Sequence, residues 1–222
     1  MKLDFIEIGT ADFETLVQKC SDTERGISVE PIKVYLDKLP NKKFVKKVNA
    51  AIVADESLKS VHVYFIHEND IINYGLGGWL KGCNSVGKPH DFHVGYYPDP
   101  SIWHKHPDRK TLPKRDLLSE GIVTCLEVPC MTFKSLMLEN GINYVEFIKI
   151  DTEGQDSKLL NSILDFYEES GLDLPKKIVF ETNAHNNPDD IKQVCVRLSN
   201  LGYQLNIDLN NLADYHDCIA EL

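Results

Sequence analysis

An apolar and aromatic run near the start of the chain, Leu3-Asp4-Phe5-Ile6-Glu7-Ile8, ends in Gly9 and passes at once into Thr10-Ala11-Asp12-Phe13, which can open a helix. Strand, tight turn and helix in that order make the first βα unit of an open α/β sheet. Ligands of such sheets lie beyond the carboxyl ends of the strands, where a glycine lets backbone approach what is bound. A binding site is therefore expected at Gly9, with the Glu7 carboxylate beside it.

The composition of this turn separates classes of cofactor. A dinucleotide needs G-x-G-x-x-G, because its pyrophosphate takes several close backbone N–H groups at a helix N-terminus. Here a single glycine stands among Glu7, Asp12 and Glu14. Carboxylates repel phosphate and suit an ammonium or a sulfonium, so a nicotinamide dehydrogenase is disfavoured. Further on, Gly26-Ile27-Ser28-Val29-Glu30 reads as a second short strand whose closing acid can accept hydrogen bonds from ribose 2′- and 3′-hydroxyls. A nucleoside without phosphates and with a cationic amino-acid end is S-adenosylmethionine.

Length and charge narrow the partners. With 222 residues, 42% of them hydrophobic, the chain can bury one sizeable core, and a single domain over 1–222 is expected. A formal charge of −10 argues against a broad nucleic-acid surface, which relies on basic patches. The cysteines Cys20, Cys83, Cys125, Cys130, Cys195 and Cys218 lack C-x-x-C spacing, and no long apolar run or apolar leader is present. Free thiols, a cytoplasmic setting and no membrane span are the expectation.

Repeated βα units follow. Phe13, Leu16, Val17 and Cys20 have helical spacing behind Asp12 as N-cap, Ile32 to Leu39 continues a helix after Pro31, and Val45 to Val53 reads as one third strand. From about residue 68 to 119 glycines and prolines break the rhythm, while Trp79, Tyr96, Tyr97, Trp103, His90, His93, His104 and His106 fall inside. A segment this long with so many aromatics is expected to be an ordered insertion covering the substrate site. Its histidines resemble a metal tract by composition only; its aromatics could stack on an acceptor or glue the loop to itself. Regular structure resumes with a helix capped by Thr132, the central strand Tyr144–Ile150, a helix from Gln155, a strand ending near Glu181, a helix capped by Asn187, and a closing pair over Tyr203–Asp208 and His216–Ala220. The fold class expected is α/β, with a mostly parallel seven-stranded sheet and one antiparallel edge strand.

The ordered motifs E-I-G-T, V-E-P, V-N-A-A-I and F-I-K-I-D-T-E-G-Q-D resemble the FkbM family of S-adenosylmethionine-dependent methyltransferases, from Leu3 to about Glu181. The resemblance implies a class I Rossmann-like fold and methyl transfer, usually to a hydroxyl oxygen of a small molecule or sugar. It implies cofactor contacts at Glu7, Gly9, Thr10, Asp12, Glu30, Ala51 and Asp151, and places Asp151 and Glu153 in the family's acidic block. The chain departs at Asp12-Phe13, where many members carry a second glycine.

Methyl transfer to an alcohol requires alignment of nucleophile, methyl and sulfur, exclusion of water, and removal of a proton. Asp151 stands at a strand's carboxyl end on the ligand side, Glu153 opens the next helix, and His185 follows the neighbouring strand. Asp151, Glu153 and His185 are the catalytic candidates. Two routes for the proton remain open: a base, or a hard divalent ion held by Asp151, Glu181 and Asn183. A catalytically inert nucleoside-binding scaffold is the alternative of a different class.

Overall fold

The strand expected at the start of the chain forms over Lys2–Ile8 (β1). The computed structural model describes residues 1–11, 15–97, 114–182, 187–207 and 216–222. After β1 the strands are β2 (Gly26–Val29), β3 (Val45–Val48), β4 (Ala51–Ile52), β5 (Ser60–Phe65), β6 (Ser85–Val86), β7 (Thr124–Met131), β8 (Tyr144–Ile150), β9 (Lys177–Thr182), β10 (Gln204–Leu205) and β11 (His216–Glu221). The chain divides into two compact units, one formed by Met1–Val61 with Val128–Leu222, the other by His62–Glu127. The chain passes between them within β5 and again within β7.

A seven-stranded mixed sheet, in the order β10-β11-β9-β8-β1-β2-β3, forms the first unit's centre. β9, β8, β1, β2 and β3 pair in parallel, and β11 is antiparallel to both of its neighbours, β9 and β10. The antiparallel strand expected at the edge therefore lies one place inside it. The two-residue β10 takes the edge, a length that leaves little open backbone there.

Both faces of this sheet are covered. Ile6, Ile8, Ile27, Ile148, Ile178 and Phe180 pack with Leu136, Met137, Leu160, Ile163, Val194 and Leu198 from the helices Phe133–Glu139, Asp156–Ser170 and Pro188–Asn200. On the other face Phe5 meets Val17, Cys20, Leu36 and Leu39. Local chemistry ends these helices. The Thr132 hydroxyl accepts the Ser135 N–H at 3.1 Å, Asn187 accepts that of Asp189 at 3.0 Å, and the long helix stops where Gly171 turns left-handed at φ 65°.

Two local expectations are corrected. The residues Val45 to Val53 do not form one strand: β3 pairs with β2, whereas β4 pairs with β7 through Ala51 and Cys130. Asn49 lies at the break, its side-chain amide donating to the carbonyls of Glu30 at 2.9 Å and Pro31 at 2.8 Å. Asp12 lies outside the described residues, and the short helix Leu16–Lys19 is capped by Thr15. Thr15 and Gln18 exchange backbone and side-chain hydrogen bonds in a capping box.

The unit His62–Glu127 has its own apolar cluster of Ile66, Ile71, Leu80, Tyr96, Leu117 and Ile122. Trp79 stands edge-on to Phe92 with ring centroids 4.8 Å apart, and the Tyr96 hydroxyl accepts the Gly77 N–H at 2.9 Å. Of the two roles open to Trp79 and Tyr96, these contacts match the gluing one. His90 and His93 are likewise structural: both are buried, the Nδ1 of His90 accepts the Phe92 N–H at 3.1 Å, and the Nδ1 of His93 accepts the His90 N–H at 3.2 Å. Trp103, His104 and His106 lie outside the described residues. Among those described, the six cysteines are free and no helix is long and apolar enough to cross a membrane.

Candidate active site at the carboxyl ends of the strands

The parallel register of β1 with β2 and β8 brings three strand ends together, so the loops after Ile8, Val29 and Ile150 meet. The Gly9 N–H donates to the Val29 carbonyl at 3.0 Å, and the Asp151 N–H to that of Ile8 at 2.9 Å. Gly9 has φ 77°, and a Cβ there would lie 1.8 Å from the Asp151 carbonyl oxygen. Only a glycine fits where these two loops press together. Left-handed backbone at the non-glycine residues Ala11 (φ 42°) and Glu153 (φ 51°) falls in the same loops, a form of strain that collects at functional sites.

Each acid at a strand tip is held by backbone amides. Glu30 is 3% exposed, and its carboxylate accepts the N–H groups of Thr10 at 3.0 Å, Ala11 at 2.8 Å and Ile32 at 2.8 Å. Burial pushes its carboxyl up to about 7 against the pull of those three donors. Thr10, itself buried, turns its hydroxyl onto the Ala11 carbonyl. Glu7 is fully buried; its two oxygens each lie 2.9 Å from the Leu16 nitrogen, and Lys149 Nζ stands 3.6 Å away. Burial raises its carboxyl above the usual range, while the Leu16 N–H and Lys149 draw it back. These acids thus shape the loops around Gly9 as well as lending the site negative charge. Ala51 is buried in β4.

A second group of acids sits beside the first. Asp151, Glu153 and Glu181 each offer a carboxylate oxygen, and these three atoms lie within 4.8 Å of one another. Like charges this close cannot all ionise cheaply. Burial first, and then its acidic neighbours Glu153, Asp151, Asp156 and Asp217, lift Glu181 to about 9. Glu153 is lifted to about 8 by burial, Asp151 and Asp156. Asp151 is also raised, by burial and by Asp217, and Lys149 at 3.7 Å opposes that rise; its side chain stays 44% exposed. At neutral pH Glu153 and Glu181 therefore hold protons, and Asp151 is the better placed of the three to accept one. The same oxygens could ligate a hard cation such as Mg²⁺.

The structure brings together Glu7, Gly9, Thr10, Glu30 and Asp151, and joins Glu153 and Glu181 to Asp151. His185 and Asn183, like Asp12, lie outside the described residues. Sequence reasoning passed over two residues. Asp156 is fully buried and accepts the N–H groups of Thr152 at 3.2 Å and Gly154 at 3.3 Å, holding the bend on which Glu153 sits. An acid in the first turn of a helix was its available signal. Lys149 bridges Glu7 and Asp151; like Asp156 it stands inside the F-I-K-I-D-T-E-G-Q-D motif, which gave neither residue a role.

The donor set suits a cationic nucleoside better than a diphosphate: acids at two strand tips, a close backbone approach at a lone glycine, and no glycine-rich turn. Among known families, the chain matches the methyltransferase FkbM domain over residues 7–205. No curated protein matches it.

Proposed function

The chain belongs to the FkbM methyltransferase family, and from that premise we propose that it transfers the methyl group of S-adenosylmethionine to a hydroxyl oxygen of a small molecule or sugar, on a class I Rossmann-like fold. Glu7, Gly9, Thr10, Asp12, Glu30, Ala51 and Asp151 would hold the donor, Glu30 as acceptor for ribose hydroxyls and Glu7 and Asp151 as countercharge for its cationic end. The donor supplies a methyl carbon activated by a positive sulfur. Asp151 would take the proton of the acceptor hydroxyl as that oxygen receives the methyl group. Glu153 and Glu181, protonated at neutral pH, hydrogen-bond the acceptor or Asp151 without adding repulsive charge. The observation that carries this reading is the close approach of the Gly9 loop to Asp151, whose carboxylate groups with those of Glu153 and Glu181.

Saturating S-adenosylhomocysteine, at about a hundred times its Kd, contributes roughly 2.7 kcal/mol. That is expected to raise the melting temperature by roughly 5–10 °C for a chain of this length. Asp151→Asn should keep most of this shift and lower methyl transfer about 10²- to 10⁴-fold. No shift at millimolar ligand would refute the donor, and an unchanged rate in Asp151→Asn would refute the base. Binding without turnover on a broad panel of alcohols and sugars would favour the inert scaffold. Activity lost on chelation and restored by Mg²⁺ would transfer the proton's removal to an ion held by Asp151, Glu153 and Glu181.

A further inference from the structure

We propose that Lys149 is a positioning residue of the methyl-donor pocket, tying the Glu7 and Asp151 carboxylates of neighbouring strands into one charged unit; this rests on the donor reading given above. Glu7 and Lys149 stand directly opposite each other in the parallel register of β1 and β8. Their side chains therefore rise from the same face of the sheet. From there Lys149 Nζ reaches Glu7 at 3.6 Å on one side and Asp151 at 3.7 Å on the other. Among the described residues it is the cation within ion-pair distance of either acid.

Its surroundings give that single cation weight. On the neighbouring strand positions stand neutral Ser28 of β2, level with Glu7, and Val179 of β9, level with Lys149. Among the described residues, the charged groups around Lys149 are Glu7 from β1, Asp151 from its own strand's end, and Asp217 from β11, with Glu153, Asp156 and Glu181 around Asp151. All of these are acids. Taking away one partner of a buried ion pair leaves the other uncompensated, and a buried carboxyl then keeps its proton. Without Lys149, Glu7 would keep, among the described residues, the Leu16 N–H, and Asp151 would lose the cation that offsets Asp217. The Leu16 helix start and the negative charge meant for the ammonium of the ligand's amino-acid end would both weaken from the loss of one residue that need not touch the ligand.

The test pairs a ligand-free measurement with a binding one. Carboxyl ¹³C titrations of Glu7 and Asp151 in the free protein are compared between wild type, Lys149→Met and Lys149→Arg. Calorimetric binding of S-adenosylhomocysteine is followed alongside from pH 5.5 to 9. In Lys149→Met both titration midpoints are expected to move up by about one pH unit or more, given an opposite charge at this distance. Affinity should drop about tenfold at pH 6.5, and the deficit should shrink as pH is raised toward 9. Lys149→Arg should restore the wild-type curve. Should Lys149→Met fail to fold, the Glu7→Gln/Lys149→Met double variant removes the orphaned charge and is expected to fold. Superimposable curves for wild type and a folded Lys149→Met, or a Lys149→Arg as impaired as Lys149→Met, would overturn the proposal. Wild type that binds no S-adenosylhomocysteine at any pH would sink the donor reading instead, while the carboxyl midpoints still decide whether Lys149 governs the two acids.

Discussion

Replacing Gly9 with alanine is expected to lower the melting temperature by roughly 10 °C and to abolish binding of S-adenosylhomocysteine. The left-handed backbone at Gly9 disfavours any side chain by itself, by about 1 kcal/mol. The greater penalty is steric. A Cβ would lie 1.8 Å from the Asp151 carbonyl oxygen and 2.8 Å from its carbon, so the two loops must part. They cannot do so freely, because the Gly9 N–H is bonded to Val29 and the Asp151 N–H to Ile8. Strain and broken bonds together come to roughly 3–4 kcal/mol, the range of severe single substitutions. Binding suffers more than stability does, since the displaced segments carry Glu7, Thr10, Glu30 and Asp151. Calorimetric unfolding and ligand titration of Gly9→Ala check both numbers; a variant that melts within about 2 °C of wild type and still binds would show that the loop contact is dispensable.

The second large effect is one of pH, with opposite signs in the two units. His90 and His93 are buried and held down to about 4, chiefly by desolvation, against an ordinary value of 6.5. Their Nδ1 atoms accept backbone N–H groups, so both rings are neutral in the folded unit. The unfolded chain binds the extra protons, and stability present above pH 6.5 is lost as pH falls from there through 4. Each histidine accounts for roughly 3 kcal/mol at the acid end. In the other unit Glu153 and Glu181 are raised to about 8 and 9, so the folded form binds more protons. Their stability is complete below pH 4.5 and lost as pH climbs through 8 and 9. Two observations separate the effects. In a Trp103→Phe background, the fluorescence of Trp79 should report opening of His62–Glu127 between pH 6.5 and 4. Glu181→Gln should remove most of the alkaline loss of overall stability between about pH 7 and 9. A Trp79 signal constant down to pH 4, or an alkaline limb unchanged in Glu181→Gln, would contradict the respective assignment.

What could be read from the sequence was local. β1 with Gly9, β8 with its acid, and the helix caps Thr132 and Asn187 follow from residues within a few places of one another, because strand period, left-handed turns and capping are short-range chemistry. The split of Val45 to Val53 could not be read, since the partner that draws Ala51 and Ile52 away is β7, far along the chain. The place of β11 was hidden for the same reason: alternation identifies a strand but not its neighbours. In the site, Glu7 and Glu30 were visible as acids at strand tips, yet their bonds to Leu16, Thr10 and Ala11 depend on how the loops fold back. Lys149 lies inside the F-I-K-I-D-T-E-G-Q-D motif, yet its role became visible only once register set it opposite Glu7. Asp156 was masked by an ordinary role, the acid at a helix start, that fits many solvent-exposed positions.

The insertion of β11 between β9 and β10 has a consequence for the protein's birth on the ribosome. While the nascent chain is emerging, β9 offers its free flank of N–H and C=O groups, and β10 has no partner to lie against until β11 arrives between them. An unfinished polypeptide would thus display the apolar strand Ile178-Val179-Phe180 as a ready template for pairing with other chains. Premature termination ahead of His216 should therefore yield aggregates in place of a smaller working enzyme.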